Sequence, residues 1–119
     1  IIKGWIDQQG DSFEQIYNVA WSYNRSFDEK GELAAVGSTV DRTTATYKNT
    51  IGSAELTAHW TDPTFDPDQR AFYYVRVLEI PTPRHSLFDK IALDQMDLQN
   101  GPETLQERAY SSPIWYTPQ

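Results

Sequence analysis

Two histidines, a run of aspartates and four tryptophans are the residues of this chain whose types could do chemistry. His85 lies in Pro83-Arg84-His85-Ser86, just past the strongest strand-like stretch of the sequence. Loops set beside rigid elements hold binding residues more often than strand interiors do. Arg84 adds a planar fork of donors suited to a carboxylate or another anion. Arg84, His85 and Asp89 are therefore the candidate binding residues. The plainer reading is a polar loop in which Ser86 caps a short helix. His59 alternates onto the polar side of its segment, which reads as an exposed sheet position.

Asp62, Asp66 and Asp68 imitate the close carboxylate spacing that hard cations want. Their order lacks the glycine and the terminal glutamate of a calcium loop, and Pro63 and Pro67 explain the turns without an ion. No Gly-x-Ser-x-Gly elbow and no glycine-rich phosphate loop is present. Zinc needs three or four ligands, and the two histidines are far apart. No catalytic residue, metal ligand or cofactor is assigned to this stretch. The tryptophans suggest stacking on sugars. Trp21 and Trp60 share parity with aliphatic neighbours and read as core, so Trp5 and Trp115 are the candidates for exposure.

Composition narrows the classes further. A net charge of −7 disfavours nucleic acid and anionic membranes, which select basic patches. No window approaches the ~18 apolar residues that a membrane-spanning helix needs, so no membrane insertion is expected. Cysteine is absent, which excludes disulfides and thiolate sites but leaves the compartment open. A length of 119 residues with 39% hydrophobic side chains suits one domain, residues 1–119, with a real core. Ile1-Ile-Lys-Gly-Trp-Ile6 begins as if in mid-strand, and the expectation is a piece of a longer protein.

These residues must be positioned by short strands. Ala71–Ile80 is the strongest, with aromatic and β-branched residues on both faces. Ile1–Asp7 and Phe13–Ser22 flank a glycine-containing turn and predict a hairpin. Asp28–Gly31 predicts a turn, and Leu33–Val40 a loop or short edge strand. Thr43–Ile51 predicts a strand with one exposed face, and Ala54–Trp60 alternates cleanly. Pro81-Thr82-Pro83 ends the central strand. A short helix follows from Ser86 to Leu93, then a loop over Asp94–Glu103. Thr104–Tyr110 and Pro113–Tyr116 close the chain, interrupted by a bulge or edge kink at Ser111-Ser112-Pro113. About seven short strands and one helix point to an antiparallel β-sandwich. Tyr73, Val75 and Val77 make a Tyr-x-Val-x-Val run that looks like the penultimate strand of immunoglobulin- and fibronectin-like sandwiches, with Ile114-Trp-Tyr116 paired beside it.

The stretch Phe65-Asp-Pro-Asp-Gln-Arg-Ala-Phe-Tyr-Tyr-Val-Arg-Val-Leu-Glu-Ile-Pro-Thr-Pro-Arg84 carries a family resemblance. So do Ile2-Lys-Gly-Trp-Ile6, Val36-Gly-Ser-Thr-Val-Asp41 and Gln106-Glu-Arg-Ala-Tyr-Ser-Ser-Pro-Ile-Trp-Tyr116. In that order they resemble the C-terminal part of the bacterial family catalogued as domain of unknown function 3604. Where the family usually has Trp, this chain has His85. Members are longer and often carry export signals, so the resemblance implies an exported or periplasmic parent. Their N-terminal parts are similar to metal-dependent phosphoesterases of the polymerase-and-histidinol-phosphatase type, and the metal ligands belong there. The resemblance thus implies an accessory, non-catalytic β-domain whose partner is the N-terminal domain of the parent. The alternative is a stand-alone carbohydrate- or protein-binding module using Trp5 or Trp115.

Overall fold

Asp7 accepts hydrogen bonds from the backbone N–H groups of Gln9 and Asp11 through one carboxylate oxygen, at 2.9 and 2.8 Å. Gly10, at φ +90°, completes the turn in a conformation that other residues avoid. The chain folds back here, so strand β1 (Ile2–Ile6) pairs antiparallel with β2 (Ser12–Ile16) as the hairpin expects. The structure, a computed structural model, describes residues 1–95, 97 and 101–119. Two compact units make up the chain. Ile1–Trp21, Leu56–Val77 and Arg108–Gln119 form the first; Ser22–Glu55 and Leu78–Glu107 form the second.

In the first unit, β3 (Ala71–Tyr74) lies between β1 and β8 (Ile114–Tyr116), giving the order β2-β1-β3-β8 with antiparallel pairing throughout. Ile114–Tyr116 thus lies beside the central strand as expected. Register sorts the side chains by alternation. Gly4, Phe72 and Trp115 share one face; Lys3, Trp5, Tyr73 and Ile114 share the other. Ile2 and Ala71 are buried, and Trp5 stacks on Phe13 at 5.6 Å between centroids.

The expected continuous strand Ala71–Ile80 is broken at Val75. The Val75 N–H donates to the Ser111 hydroxyl at 2.9 Å, and the Ser111 N–H donates to the Val75 carbonyl at 3.0 Å. A serine side chain thus takes a ladder position, and β4 (Arg76–Leu78) resumes against a different neighbour, β7 (Arg108–Tyr110). The interruption at Ser111–Pro113 is as expected; its consequence for the partner strand is not. The expected strand Phe13–Ser22 also stops early, at Ile16.

The second unit pairs β5 (Thr82–Pro83) with β6 (Thr104–Leu105) and carries α1 (His85–Ala92), the one helix among the described residues. Proline 83 therefore ends a pairing rather than preventing one. Ser86 is not the cap of the helix. Arg84 occupies that position without a side-chain bond, and the Ser86 hydroxyl donates to the Pro102 carbonyl at 2.7 Å. Leu87 is fully buried, and Lys90 reaches Glu103 at 2.9 Å. The loop expected over Asp94–Glu103 lies in part outside the described residues.

Two expected strands are absent. At Thr43–Ile51 the chain turns instead, because the Asp41 carboxylate accepts from the Thr43 N–H and hydroxyl at 2.8 and 2.7 Å. Short polar side chains that bond their own backbone compete with a ladder. Ala54–Trp60 alternates but pairs with no strand among the described residues. The turn at Asp28–Gly31 is present, held by the Asp28 carboxylate, and Leu33–Val40 is loop. Mostly β, with antiparallel sheets and one short helix among the described residues, the chain fits the expected β-sandwich class.

Candidate functional site

β1 is almost wholly apolar, yet it carries Lys3 into the interior of the first unit, where its side chain is 3% exposed. A buried ammonium needs an opposite charge and acceptors for its three protons. It has them: Asp62 Oδ2 at 2.7 Å, the Thr64 carbonyl at 2.8 Å and Thr64 Oγ1 at 3.3 Å. The ammonium also lies over the Trp5 ring, 5.3 Å from its centroid, and 6.0 Å from that of Tyr73.

Asp62 is the hub. Its Oδ2 also accepts from the Tyr73 hydroxyl at 2.7 Å. Its Oδ1 accepts from the Thr64 N–H at 2.9 Å and hydroxyl at 3.0 Å, and more distantly from Tyr17 at 3.4 Å. Tyr17 and Thr64 hydroxyls are 3.0 Å apart. Burial by itself raises the carboxyl pKa, but hydrogen bonds from Lys3, Thr64 and Tyr73 outweigh it and hold Asp62 well below the usual carboxylate range. Burial, then the bond to Asp62 and its charge, pushes the Tyr73 hydroxyl above its ordinary value. The pair is therefore a fixed carboxylate and a neutral phenol. Fixed in this way, neither group is tuned to exchange a proton near neutrality. The arrangement holds the segment around Asp62 against the sheet.

Beside this network, still within the first unit, lies an apolar groove of about 390 Å³. Trp60, Phe65, Tyr73, Val75 and Ile114 give it its character. The Trp60 ring is 4.8 Å from that of Tyr17 and 6.3 Å from that of Tyr73. On the opposite face of the sheet the rings form a row. Tyr110 lies 6.1 Å from Tyr74, Tyr74 lies 6.3 Å from Phe72, and Phe72 lies 5.1 Å from Trp115.

The residues singled out from sequence are placed as follows. Arg84, half-buried in the second unit, sets Nη1 3.2 Å from where a Cβ on Gly101 would stand. His85 and Asp89 are both exposed, four residues apart on α1. His59 is exposed. Asp62 is spent on Lys3 and cannot join Asp66 and Asp68; Asp66 accepts from the Asp68 N–H at 2.9 Å. Among the described residues no three His, Asp or Glu side chains are arranged to hold a metal ion. No helix among them is long and apolar enough to cross a membrane. Trp5 is packed and Trp115 is 72% exposed. The Lys3–Asp62–Tyr73 network went unread in the sequence, although a lone lysine inside Ile1–Ile6 signals a buried partner.

The family model described as protein of unknown function (DUF3604) matches residues 1–118. No curated protein and no solved structure matches the chain.

Proposed function

The chain belongs to the DUF3604 family, and from that premise we propose that it is an accessory, non-catalytic β-domain that binds the remainder of a longer family protein. The partner in this reading is an N-terminal part resembling metal-dependent phosphoesterases of the polymerase-and-histidinol-phosphatase type. One observation carries it. The ring row of the first unit ends in Trp115, 72% exposed, and Tyr110, 59% exposed. Large rings grouped on a surface mark contact sites, and aromatic side chains dominate such interfaces. His85 and Asp89, exposed on α1, are the proposed polar contacts of the second unit, with Arg84 as an anion partner.

Fluorine NMR of 5-fluorotryptophan-labelled protein tests this, with the Trp115 signal assigned by Trp115→Phe. In the isolated chain that signal is expected to shift with the H2O/D2O ratio, as an exposed ring does. In the parent protein the shift is expected to vanish. A Trp115 signal equally solvent-sensitive in both sinks the proposal.

A second reading is a carbohydrate-binding module, favoured by the near-parallel rings of Phe72 and Tyr74, 13° apart, leading to Trp115. Trp5, stacked on Phe13, leaves Trp115 as its carrier. Electrophoresis through gels holding soluble glucan or xylan then shows retardation that Trp115→Ala removes. Migration indifferent to every polysaccharide rejects this reading and leaves the first standing.

A further inference from the structure

The sheet of the first unit has two edges, and only one is guarded. β8 is three residues long, with Pro113 before it and Pro118 close behind, and proline offers no N–H to an incoming chain. β2, at the other edge, runs five residues without proline, glycine or lysine, in unbroken register with β1, and all five are exposed. The pairing fixes which backbone groups are free. The Tyr17 N–H donates to the Ile1 carbonyl at 2.8 Å and the Asp7 N–H to the Asp11 carbonyl at 3.0 Å. By alternation Phe13 and Gln15 turn their backbone groups toward β1, while Ser12, Glu14 and Ile16 turn theirs outward. Among the described residues those three N–H groups and the Ser12 and Glu14 carbonyls have no partner. The Ile16 carbonyl accepts from Gln15 Nε2 at 3.1 Å.

We propose that β2 takes an added antiparallel strand: an extended segment of a separate polypeptide that alternates cationic and apolar side chains. Only an extended backbone presents donors and acceptors at the two-residue spacing of Ser12, Glu14 and Ile16. The side chains set its sequence. Glu14 is exposed, makes no ion pair among the described residues, and is flanked on β1 by Gly4, which has no side chain to shield it. A cation opposite Glu14 makes a favourable cross-strand pair. Phe13, on the other face, stacks on Trp5 with one side of its ring and is 45% exposed, so the neighbouring residue of the added strand is apolar. The same charge rejects a second copy. Two β2 edges paired about their middle would set Glu14 against Glu14, in a chain of net charge −7. Ser12, Glu14 and Gln15 are polar, which suits an edge that is bare between encounters better than a permanent, more apolar interface. This edge is the one remote from β8 and Trp115, so it stands apart from the docking reading.

The test titrates the nitrogen-15-labelled chain with a short capped peptide alternating valine and lysine, and in parallel with one alternating valine and glutamate. The lysine peptide is expected to slow solvent exchange of the Ser12, Glu14 and Ile16 amides saturably, leaving Phe13 and Gln15, already bonded to β1, unchanged. It is expected to bind at least about fivefold more tightly than the glutamate peptide, the worth of one favourable cross-strand charge pair. Glu14→Lys, at an exposed side chain, is expected to reverse that preference. Equal affinity for the two peptides, or exchange at the three amides unchanged by either, overturns the proposal. A lysine preference that survives Glu14→Lys traces to the net charge of the chain and overturns it too. So does slowing that grows with the concentration of the chain alone, which assigns the edge to a second copy.

Discussion

Lys3→Met is expected to destabilise the chain by about 3–5 kcal/mol, the usual consequence of leaving one buried charge without its partner. Methionine fills the space of the lysine stem, so lost packing contributes little. What remains is the Asp62 carboxylate, 6% exposed, with its shortest ionic contact gone. Urea unfolding at pH 7 reads this as a lower midpoint with an unchanged slope. The double variant Lys3→Met/Asp62→Leu is expected to recover at least half of the loss, because a buried pair replaced by apolar groups is often neutral. A single-variant loss below about 1 kcal/mol would place the pair with exposed ion pairs and defeat the argument.

The same pair sets a pH dependence with a definite sign. Asp62 has a folded pKa held below its unfolded value of about 3.9. Its contribution is therefore complete above about pH 4 and is lost as pH falls toward the depressed folded value. Tyr73 is shifted the other way, so its contribution is complete below its unfolded value of about 10 and is lost at more alkaline pH. Wild type and Lys3→Met should thus differ most between pH 5 and 9, and the gap should narrow toward pH 3. A gap independent of pH over that range assigns the loss to packing rather than charge.

What the sequence made legible was set by local chemistry. The Asp7–Asp11 turn is written in residues that bond their own backbone, and it fixes the β1–β2 register without help from afar. The pairing of Ile114–Tyr116 with Ala71–Tyr74 was expected from the likeness of the Tyr73-x-Val75-x-Val77 run to the penultimate strand of a sandwich. Alternation failed where it had no competitor in view. Thr43–Ile51 has strand-forming threonines, but Asp41 draws Thr43 into a turn. Ala71–Ile80 reads as one strand, and only Ser111, 36 residues past Val75, reveals the break. Ser86 has the composition of a cap but finds the Pro102 carbonyl instead. The Lys3–Asp62 contact spans 59 positions by residue number, a separation that no local pattern encodes. The candidate site was harder to read than the fold for that reason: its residues converge from β1, β3 and an unpaired segment.

Gly4→Ala should be the second large effect, and its cause is steric. A Cβ built on Gly4 would stand 2.4 Å from Phe72 Cζ and 2.5 Å from Cε1, well inside contact distance. The Phe72 ring crosses directly over β1 because the glycine leaves room for it. It cannot simply swing away, since Tyr74 is stacked beside it and Trp115 lies 5.1 Å from its other side. Glycine within a strand is itself unfavourable, so alanine there would help were the space open. Overpacking opposes this gain and costs about 1–3 kcal/mol. Gly4→Ala/Phe72→Leu separates the two terms: a smaller side chain opposite the new methyl should restore part of the midpoint that Gly4→Ala loses. If Gly4→Ala raises the midpoint instead, Phe72 has another place to go, and the ring row from Tyr110 to Trp115 is not a fixed surface. A fixed row is what both the docking and the carbohydrate readings require, so this variant bears on them as directly as any change at Trp115.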